Sequence, residues 1–277
     1  MPELPEVQTI CDVIAPQIIG RRIEDVIVYH DGVLANAAPA EFINLLRGNK
    51  FISMSRRGKY MLILLESGQR LIIHLRMTGG LLALPQEYPM EKHTHVVFML
   101  DDETQLRFRD LRRFGRIWLA GSDESVPGLD TLGPEPFDQQ ITFAYLKEKL
   151  QDSRRKIKDC LLDQTFIAGI GNIYSDEILF RAGIHPAKCA CSLTDAELLR
   201  LAAIIPETMT YYVEKNRIDP ETYLKTSGRE YQNTPYLQVY GRKGKPCLHC
   251  GTTLHKEKIA GRGSVFCPRC QTLDEKA

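Results

Sequence analysis

Four cysteines near the end of the chain restrict its fold more than any other feature. Cys247 and Cys250 form one Cys-x-x-Cys pair, and after sixteen intervening residues Cys267 and Cys270 form a second pair. Two such pairs at this distance are typical of a zinc site with four thiolate ligands. The site is closed and structural, because four protein ligands leave no coordination position open. We therefore predict one structural Zn²⁺ ion that stabilises a small hairpin.

The other cysteines do not suggest a disulfide framework, because they are scattered along the chain at Cys11, Cys160, Cys189 and Cys191. The N-terminus lacks the basic, apolar and small-residue succession of a signal peptide, and no stretch reaches the roughly 18 apolar residues of a membrane span. These observations favour a metal over disulfides and predict a cytoplasmic protein without a membrane segment. His249 and His255 are alternative metal ligands, but the four thiolates already complete a set.

The 277 residues suffice for two domains, and the hydrophobic pattern differs between the two halves. Apolar residues at spacings of three and four predict a helix over residues 7–19, which Gly20 ends. Runs rich in branched and aromatic residues then predict an antiparallel sandwich or barrel, with strands at Ile23–Tyr29, Phe51–Ser55, Tyr60–Leu65, Arg70–Leu75, His95–Leu100, Gln105–Arg109 and Arg116–Ala120. Helical periodicity follows at Phe143–Leu150, Lys156–Leu162, Ile173–Ala182 and Asp195–Lys215.

The chain is therefore predicted to be an α+β protein whose two halves are separated by a linker. The linker is rich in proline and glycine and includes LGPEP at 132–136. The predicted division is a β-sandwich domain over 1–125, a linker over 126–142, a helical domain over 143–235 and a zinc-finger module over 236–277.

The N-terminal sequence MPELPE can supply a nucleophile if the initiator methionine is removed. A small second residue permits removal of the initiator methionine, which would leave Pro2 with a free secondary amine. An α-amino group has a pKa of about 8, so part of it is unprotonated at neutral pH and can attack an electrophilic carbon. Glu3 and Glu6 lie beside this amine. The simpler interpretation is that proline and glutamate begin a helix, where carboxylates suit the helix dipole.

Two other segments suit phosphate binding. Within QTFIAGIGNIYSDE at 164–177, a turn with two glycines precedes a helix that Asn172 is predicted to cap, and exposed N–H groups at such a helix start form an anion site. Arg262 lies between two glycines in the turn between the cysteine pairs, although many loop arginines are merely solvated.

Residues 241–277 contain eight Lys/Arg against three Asp/Glu, whereas the whole chain has a net charge of only +1. A second basic cluster, which also fits a solvated helix face, contains Arg154, Arg155, Lys156 and Lys158.

These features occur together in an order that resembles the formamidopyrimidine-DNA glycosylases, the bacterial branch of a family that also contains endonuclease VIII. The resemblance extends over essentially the whole chain. The motifs that carry it are PELPEV at 2–7, SRRGKY at 55–60, HLRMTG at 74–79, RDLRRFG at 109–115, LGPEP at 132–136, DQTFIAGIGNIYSDE at 163–177, and VYGRKGKPC with AGRGSVFCPRC at the end.

The resemblance implies an N-terminal β-sandwich flanked by helices and a C-terminal helix-two-turns-helix domain with a zinc finger. It implies a monomer, associated with the nucleoid, that binds double-stranded DNA containing a damaged base or an abasic site. Because a base inside the duplex is unreachable, the lesion must rotate out of the stack. The side chains that fill the gap in this family correspond to Met77, Arg112 and Phe114, where two apolar residues can wedge between bases and the arginine can contact the orphaned base.

The resemblance further implies covalent catalysis followed by strand cleavage. Pro2 attacks C1′ of the deoxyribose, displaces the base and forms a Schiff base, while Glu3 protonates the opening sugar ring and Glu6 assists proton transfer. Successive β- and δ-eliminations then cut the strand. Lys59 corresponds to a basic residue beside the lesion, and the phosphate contacts correspond to His74, Lys158, Asn172, Tyr240 and Arg262.

Two features bear on the lesion that is removed. Leu4 is usual in the formamidopyrimidine branch, which favours oxidised or ring-opened purines over oxidised pyrimidines. In the segment 216–236 the glycines of the family's flexible lid are absent, and Pro220 stiffens the chain. We therefore expect a shifted lesion spectrum, toward ring-opened formamidopyrimidines.

Three alternatives compete with this interpretation. An endonuclease VIII-like enzyme would act on oxidised pyrimidines. A non-catalytic protein that binds damaged DNA would be expected to lose Pro2, Glu3 or Lys59, and all three are present. A zinc-ribbon module that binds nucleic acid or ribosomes would leave the N-terminal half unexplained.

Overall fold

The computed structural model describes residues 1–226 and 232–273. Its contacts divide the chain into two compact units. The first unit comprises Met1–Asp130 and Asn216–Gln232, and the second comprises Thr131–Lys215 and Asn233–Ala277. Within the described ranges, no helix combines the length and the apolar character needed to cross a membrane.

The first unit contains two four-stranded antiparallel sheets, with the orders β1-β6-β7-β5 and β2-β3-β4-β8. Their strands are β1 (Ile23–Val28), β2 (Phe51–Arg57), β3 (Tyr60–Leu65), β4 (Arg70–His74), β5 (Gly79–Pro85), β6 (Thr94–Leu100), β7 (Thr104–Asp110) and β8 (Arg116–Ala120). Phe98 and Phe108 of one sheet share a hydrophobic core with Ile63 and Ile73 of the other. The sequence left a sandwich and a barrel open, and the structure is the sandwich.

Helix α1 (Leu4–Ile18) begins earlier than the apolar stripe predicted. Glu3 is its N-cap, and Pro5 occupies the first turn, where a missing N–H costs no hydrogen bond. Val7, Ile10 and Ile14 face the sandwich core. The stripe located the buried face of the helix but not its first turn, which is determined by capping.

One strand and one α-helix within residues 1–130 were not predicted from the sequence. Strand β5, with the sequence GGLLALP, contains no β-branched or aromatic residue, so it lacks the composition that identified the other strands. Helix α2 (Pro39–Leu46) has eight residues, too few for a clear helical period.

After the helices of the second unit, the chain returns to the first unit through α7 (Pro220–Lys225). Asp219 caps this helix by accepting a hydrogen bond from Thr222 N at 2.9 Å. Tyr223 is 4% exposed, packs in the sandwich core and donates its hydroxyl to Leu81 O at 2.9 Å. The contacts thus assign residues 216–226 and 232 to the first unit, whereas the sequence-based division put them with the helical domain. Of the atypical segment 216–236, residues 227–231 lie outside the described ranges.

The second unit contains the four predicted helices, followed by a β-hairpin. These elements are α3 (Phe143–Leu150), α4 (Ile157–Leu162), α5 (Asn172–Ala182), α6 (Asp195–Lys215), β9 (His255–Ile259) and β10 (Arg262–Phe266). Phe180 of α5 packs against Val239, Leu254 and Val265, so the hairpin and the preceding loop share a core with this helix.

Candidate functional site

The first turn of α1 holds two buried carboxylates next to Pro2. Glu3 and Glu6 are 2% and 1% exposed, and they form a reciprocal capping box. The Glu3 carboxylate accepts from the Glu6 N–H, and the Glu6 carboxylate accepts from the Glu3 N–H at 2.8 Å. Pro2 is buried, whereas Met1 is exposed. The motif does begin a helix, and the same contacts fix both carboxylates where removal of Met1 would create an amine.

Lys59 lies in the two-residue loop that joins β2 and β3. Gly58 precedes it with φ of 55°, a conformation that glycine adopts without a steric penalty. Lys59 is only 7% exposed despite its charge. Arg56 ties the loop to α1, because its Nε donates to Gln8 Oε1 at 3.1 Å and its Nη1 donates to Gly58 O at 2.9 Å. Lys59 is therefore positioned relative to the helix that carries the capping box.

His74 is the last residue of β4 and is 7% exposed, with the Tyr60 ring packed edge-on against it. Its Nδ1 accepts a hydrogen bond from Arg76 N at 3.0 Å, which leaves the proton of the neutral ring on Nε2. Burial, with smaller contributions from the charges of Arg76 and Lys59, lowers the pKa of the His74 imidazole to about 3. At neutral pH His74 is therefore a neutral Nε2–H donor and not a cation.

We expect acid to destabilise the fold through His74. An unfolded histidine has a pKa of about 6.5, whereas the folded residue stays neutral down to about 3, so the unfolded state binds an additional proton between these values. The contribution of His74 to stability is complete above pH 6.5 and is lost as the pH falls, by about 2 kcal/mol at pH 5. Urea unfolding of wild type and His74→Gln at pH 7 and pH 5 measures this difference.

The matched control for the acid effect is His93→Asn, which removes an imidazole from an exposed residue whose φ of 68° suits asparagine. This variant should keep the pH dependence of the wild type. An equal acid-induced loss in wild type and His74→Gln would contradict the prediction.

Three side chains with exposed surface converge on the connections β4–β5 and β7–β8. Met77 and Phe114 are each 46% exposed. Arg112 lies between them, with Nη1 at 3.0 Å from Met77 Sδ and its guanidinium carbon 4.5 Å from the Phe114 ring centroid. Two apolar side chains around a cation form a surface that can insert between bases and donate hydrogen bonds to one of them. These are the three residues that the sequence assigned to gap filling.

Asp110 organises this cluster and was not singled out from the sequence. Its fully buried carboxylate accepts hydrogen bonds from Arg112 N at 3.2 Å, from Gly115 N at 2.7 Å and from Thr78 Oγ1. A β-carbon on Gly115 would lie 2.7 Å from Phe108 Cζ, so this close approach requires glycine. One carboxylate therefore holds both loops of the cluster. The only signal for it in the sequence was its place within RDLRRFG.

In the second unit, the two-glycine turn leads into α5 as predicted, but the predicted cap was wrong. The N-cap is Gly171, and Asn172 is the first helical residue. The Asn172 Nδ2 donates to Gly263 O of β10 at 3.2 Å, so the amide bonds to the hairpin and does not cap the helix. Gln164 stabilises the turn by accepting from Gly169 N at 2.9 Å.

Glu177 positions the segment that contains Tyr240, and no role was predicted for this glutamate in the sequence analysis. Its fully buried carboxylate accepts from the N–H groups of Gln238, Val239 and Tyr240, each at 2.9 Å. The Tyr212 hydroxyl donates to the same carboxylate at 2.6 Å. Tyr240, a predicted phosphate contact, is thereby fixed through its backbone and keeps part of its surface exposed.

Arg262 is the first residue of β10 and is exposed. The two-residue loop before it has φ of 55° at Ala260 and 66° at Gly261, the left-handed pair that a type I′ hairpin turn requires. The turn therefore presents the Arg262 guanidinium to solvent, where it can bind an anion.

Lys158 does not fit the phosphate contact predicted for it. Its side chain has no exposed surface, and its Nζ donates to Asp176 Oδ1 at 2.5 Å and to Ser264 Oγ at 2.6 Å. Asp176 also accepts from Val265 N at 2.9 Å, and burial raises the pKa of its carboxyl to about 6. An ammonium enclosed in this way cannot contact a phosphate. Lys158 instead joins α4, α5 and β10.

The four cysteines of the hairpin module fit a tetrahedral zinc site. All four Sγ atoms lie within 4.8 Å of one another. The separations are 3.9 Å for Cys247–Cys270, 3.5 Å for Cys250–Cys267 and 3.5 Å for Cys250–Cys270. A tetrahedron with Zn–S bonds of about 2.3 Å has edges of about 3.8 Å. His249 and His255 are not needed to complete this ligand set.

Comparison with family models assigns almost every element of both units. Residues 1–117 match the formamidopyrimidine-DNA glycosylase N-terminal domain, and residues 132–222 match the formamidopyrimidine-DNA glycosylase H2TH domain. Residues 244–273 match the zinc finger found in FPG and IleRS. The zinc-finger match agrees with the cysteine geometry, so the module holds one structural zinc ion.

Individual relatives agree over the full length. A formamidopyrimidine-DNA glycosylase of Pelotomaculum thermopropionicum is 41% identical over 99% of this chain and 100% of its own. One from Desulfitobacterium hafniense is 43% identical over 98% of this chain and 100% of its own. The Lactococcus lactis enzyme, solved with DNA containing FAPY-dG, superimposes with a TM-score of 0.90 at 34% identity, covering 98% of this chain and 100% of that one. The chain therefore belongs to the formamidopyrimidine-DNA glycosylase family of DNA repair enzymes.

Proposed function

We propose that this protein excises oxidised or ring-opened purines from double-stranded DNA and then cuts the strand at the resulting site. The observation that carries the proposal is the cluster of Met77, Arg112 and Phe114, which lies in the same unit as the buried carboxylates beside Pro2. A protein that opens a duplex to reach a base needs such a wedge. The Lactococcus lactis relative has been solved with DNA containing FAPY-dG and with DNA containing an abasic site, which supports the same substrates here.

The nucleophile is the secondary amine of Pro2 after removal of Met1. Its nitrogen bonds to C1′ as the glycosidic bond breaks, and the base leaves with the bonding electrons. Glu3, fixed by the capping box, protonates the ring oxygen as the sugar opens, and an iminium ion forms at C1′. The Glu6 carboxylate accepts a hydrogen bond from the Glu3 N–H, and it assists proton transfer beside the Pro2 amine.

Strand cleavage follows from the electron demand of the iminium ion. The ion acidifies the C2′ proton, whose loss expels the 3′ phosphate, and a second elimination expels the 5′ phosphate. Lys59 supplies positive charge beside the site of reaction. Contacts with flanking phosphates come from His74, as a neutral donor, and from Asn172, Tyr240 and Arg262.

The zinc ion stabilises the hairpin that presents Arg262 and takes no part in the covalent chemistry, because four thiolates leave it no open position. The protein acts as a monomer in the cytoplasm, associated with the nucleoid.

Reductive trapping tests this function directly. Mature protein, whose mass confirms loss of Met1, is incubated with borohydride and duplexes that differ only in one base, either a formamidopyrimidine, 8-oxoguanine or guanine. We expect a covalent complex through Pro2 with the damaged duplexes and none with guanine. Without reductant, both eliminations should leave a one-nucleotide gap with phosphate at each end. Binding of damaged duplex by fully processed protein without a trapped complex would contradict the lyase mechanism and favour a non-catalytic binding protein.

Excision of oxidised pyrimidines is the second candidate. The Lactococcus lactis relative has also been solved with DNA containing an oxidised pyrimidine, at 34% identity to this chain. A duplex with an oxidised pyrimidine therefore belongs in the same panel. Faster excision of the pyrimidine than of either purine would replace the primary proposal.

The lesion spectrum rests on the segment after α6. The described part that comes first, residues 216–226, is fixed by the Asp219 cap and by the buried Tyr223, whose hydroxyl bonds to Leu81 O of β5. A segment fixed in this way adapts less to different bases, which supports a preference for ring-opened formamidopyrimidines over 8-oxoguanine. Equal excision rates for the two lesions would contradict that preference.

A further inference from the structure

A pair of cysteines outside the zinc module lies in direct contact. Cys189 and Cys191 flank the first residue of the short 3-10 turn Ala190–Ser192, and their Sγ atoms are 2.8 Å apart. All eight cysteines lie in the described ranges. Among them only Cys191 is exposed, and Cys189 is partly exposed. We infer that Cys189 and Cys191 are a dithiol that peroxides oxidise reversibly to an intrachain disulfide.

The backbone around the pair brings the two sulfurs together. Cys191 N donates to Ser153 O at 3.0 Å, and Ala190 N donates to Arg155 O at 2.9 Å. Cys189 also forms an isolated antiparallel bridge with Lys156. A disulfide needs sulfurs at about 2.05 Å, so each must move less than about 0.5 Å from its present position.

The surroundings favour a thiolate at Cys189. Donation of a hydrogen bond from the Cys191 thiol lowers the pKa of the Cys189 thiol, and the nearby Arg154 guanidinium contributes in the same direction. A solvent-accessible thiol with thiolate character, such as the partly exposed Cys189, is the type of cysteine that peroxides attack first. By contrast, Cys11 and Cys160 are buried, and burial raises the pKa of both thiols.

The reaction is balanced with hydrogen peroxide as the oxidant. The Cys189 thiolate attacks one peroxide oxygen, the O–O bond breaks, and hydroxide leaves and takes up the proton released by the thiol. The Cys191 thiolate then attacks the sulfenic sulfur of Cys189, forming the S–S bond. The second hydroxide leaves and takes the Cys191 proton, so two thiols and one peroxide give one disulfide and two waters.

Neighbouring basic residues make this proposal easy to test by peptide mapping. Trypsin cleaves after Lys188 and after Arg200, so residues 189–200 are released as one peptide that contains both cysteines of the dithiol and no others. Cys160 is released in a separate peptide, residues 159–181. An internal disulfide and a cross-link between the two peptides are therefore distinguishable by mass.

The experiment treats the full-length zinc-loaded protein with increasing hydrogen peroxide, alkylates free thiols, and measures both retained zinc and the peptide masses. We expect peptide 189–200 to lose two hydrogens and resist alkylation at peroxide doses that leave zinc bound, and dithiothreitol to restore the dithiol. In Cys191→Ser, which cannot form the disulfide, Cys189 should accumulate as a sulfenic acid that dimedone traps. In Cys189→Ser, peroxide should oxidise the remaining Cys191 thiol more slowly than it oxidises Cys189 in Cys191→Ser.

Three outcomes would overturn the inference. The first is full alkylation of peptide 189–200 at peroxide doses that already release zinc. The second is a disulfide that joins peptide 189–200 to peptide 159–181. The third is irreversible oxidation of one thiol of the pair while the other remains free to be alkylated.

Discussion

Blocking the amine of Pro2 is expected to abolish both base release and strand cleavage. A chain that retains Met1 has an amide nitrogen at Pro2, which cannot form a bond to C1′. Removing a covalent nucleophile while leaving the rest of a site intact costs at least about 10³-fold in rate. Single-turnover excision from a formamidopyrimidine duplex, comparing processed protein with protein that carries one additional N-terminal residue, measures this loss. Borohydride trapping should disappear in parallel.

Two controls separate chemistry from folding in this experiment. Pro2→Gly keeps a small second residue and a free amine, so it should retain trapping at a reduced rate. Glu3→Gln keeps an oxygen that can accept the Glu6 N–H of the capping box, so α1 should stay intact while the excision rate falls by about 10²-fold or more. Thermal midpoints close to that of the wild type are expected for all variants. Undiminished excision by the blocked chain would exclude Pro2 as the nucleophile.

Lys158→Met is expected to destabilise the second unit strongly. The substitution removes the charged partner of the Asp176 carboxylate. Neither Lys158 nor Asp176 has exposed side-chain surface, so the remaining carboxylate would be buried without its ion pair. Leaving a buried charge unpaired costs about 3–5 kcal/mol. Urea unfolding of the zinc-loaded protein, followed by a signal from the second unit, measures the loss. The double variant Lys158→Met with Asp176→Leu should recover much of it, since neither charge then remains.

Lys156→Met is the matched control, because Lys156 is exposed and lies two residues away. Its effect on stability should be below about 0.5 kcal/mol. Measuring DNA binding as a function of salt concentration distinguishes a phosphate contact at Lys158 from a structural ion pair. A phosphate contact at Lys158 would lower the slope of log K against log salt by about 0.9, with little change in stability. That result would contradict the structural role assigned to the buried pair.

Much of the fold was predictable because its signals are local. The Cys-x-x-Cys pairs specify a metal site through spacing alone, and the structure brings their four Sγ atoms within 4.8 Å. Runs rich in branched and aromatic residues identified seven of the strands, and helical periodicity identified the helices of the second unit. Each of these patterns repeats within a single element, so no knowledge of the element's neighbours was required.

The errors occurred where the partner of a residue is distant in the chain. Lys158 belongs to a sequence cluster of basic residues, yet its ammonium is buried by Asp176 and Ser264, from other elements. Asn172 was predicted to cap α5, yet it is the first residue of that helix and its amide bonds to Gly263. Tyr223 follows the long helix of the second unit, yet it packs against β5 of the first. No local pattern encodes such contacts.

Local patterns in the sequence were enough to predict most elements of both halves, the zinc ligands and, through the motifs, the family. The motifs also pointed to Met77, Arg112 and Phe114, although Met77 is more than thirty residues from the other two. The folded chain was needed to show that Asp110 joins the two loops of this cluster, that His74 is neutral, and that Lys158 is a buried structural residue. Hydrogen-bond partners and desolvation depend on which distant segments pack together, and these contacts exist only once the chain has folded.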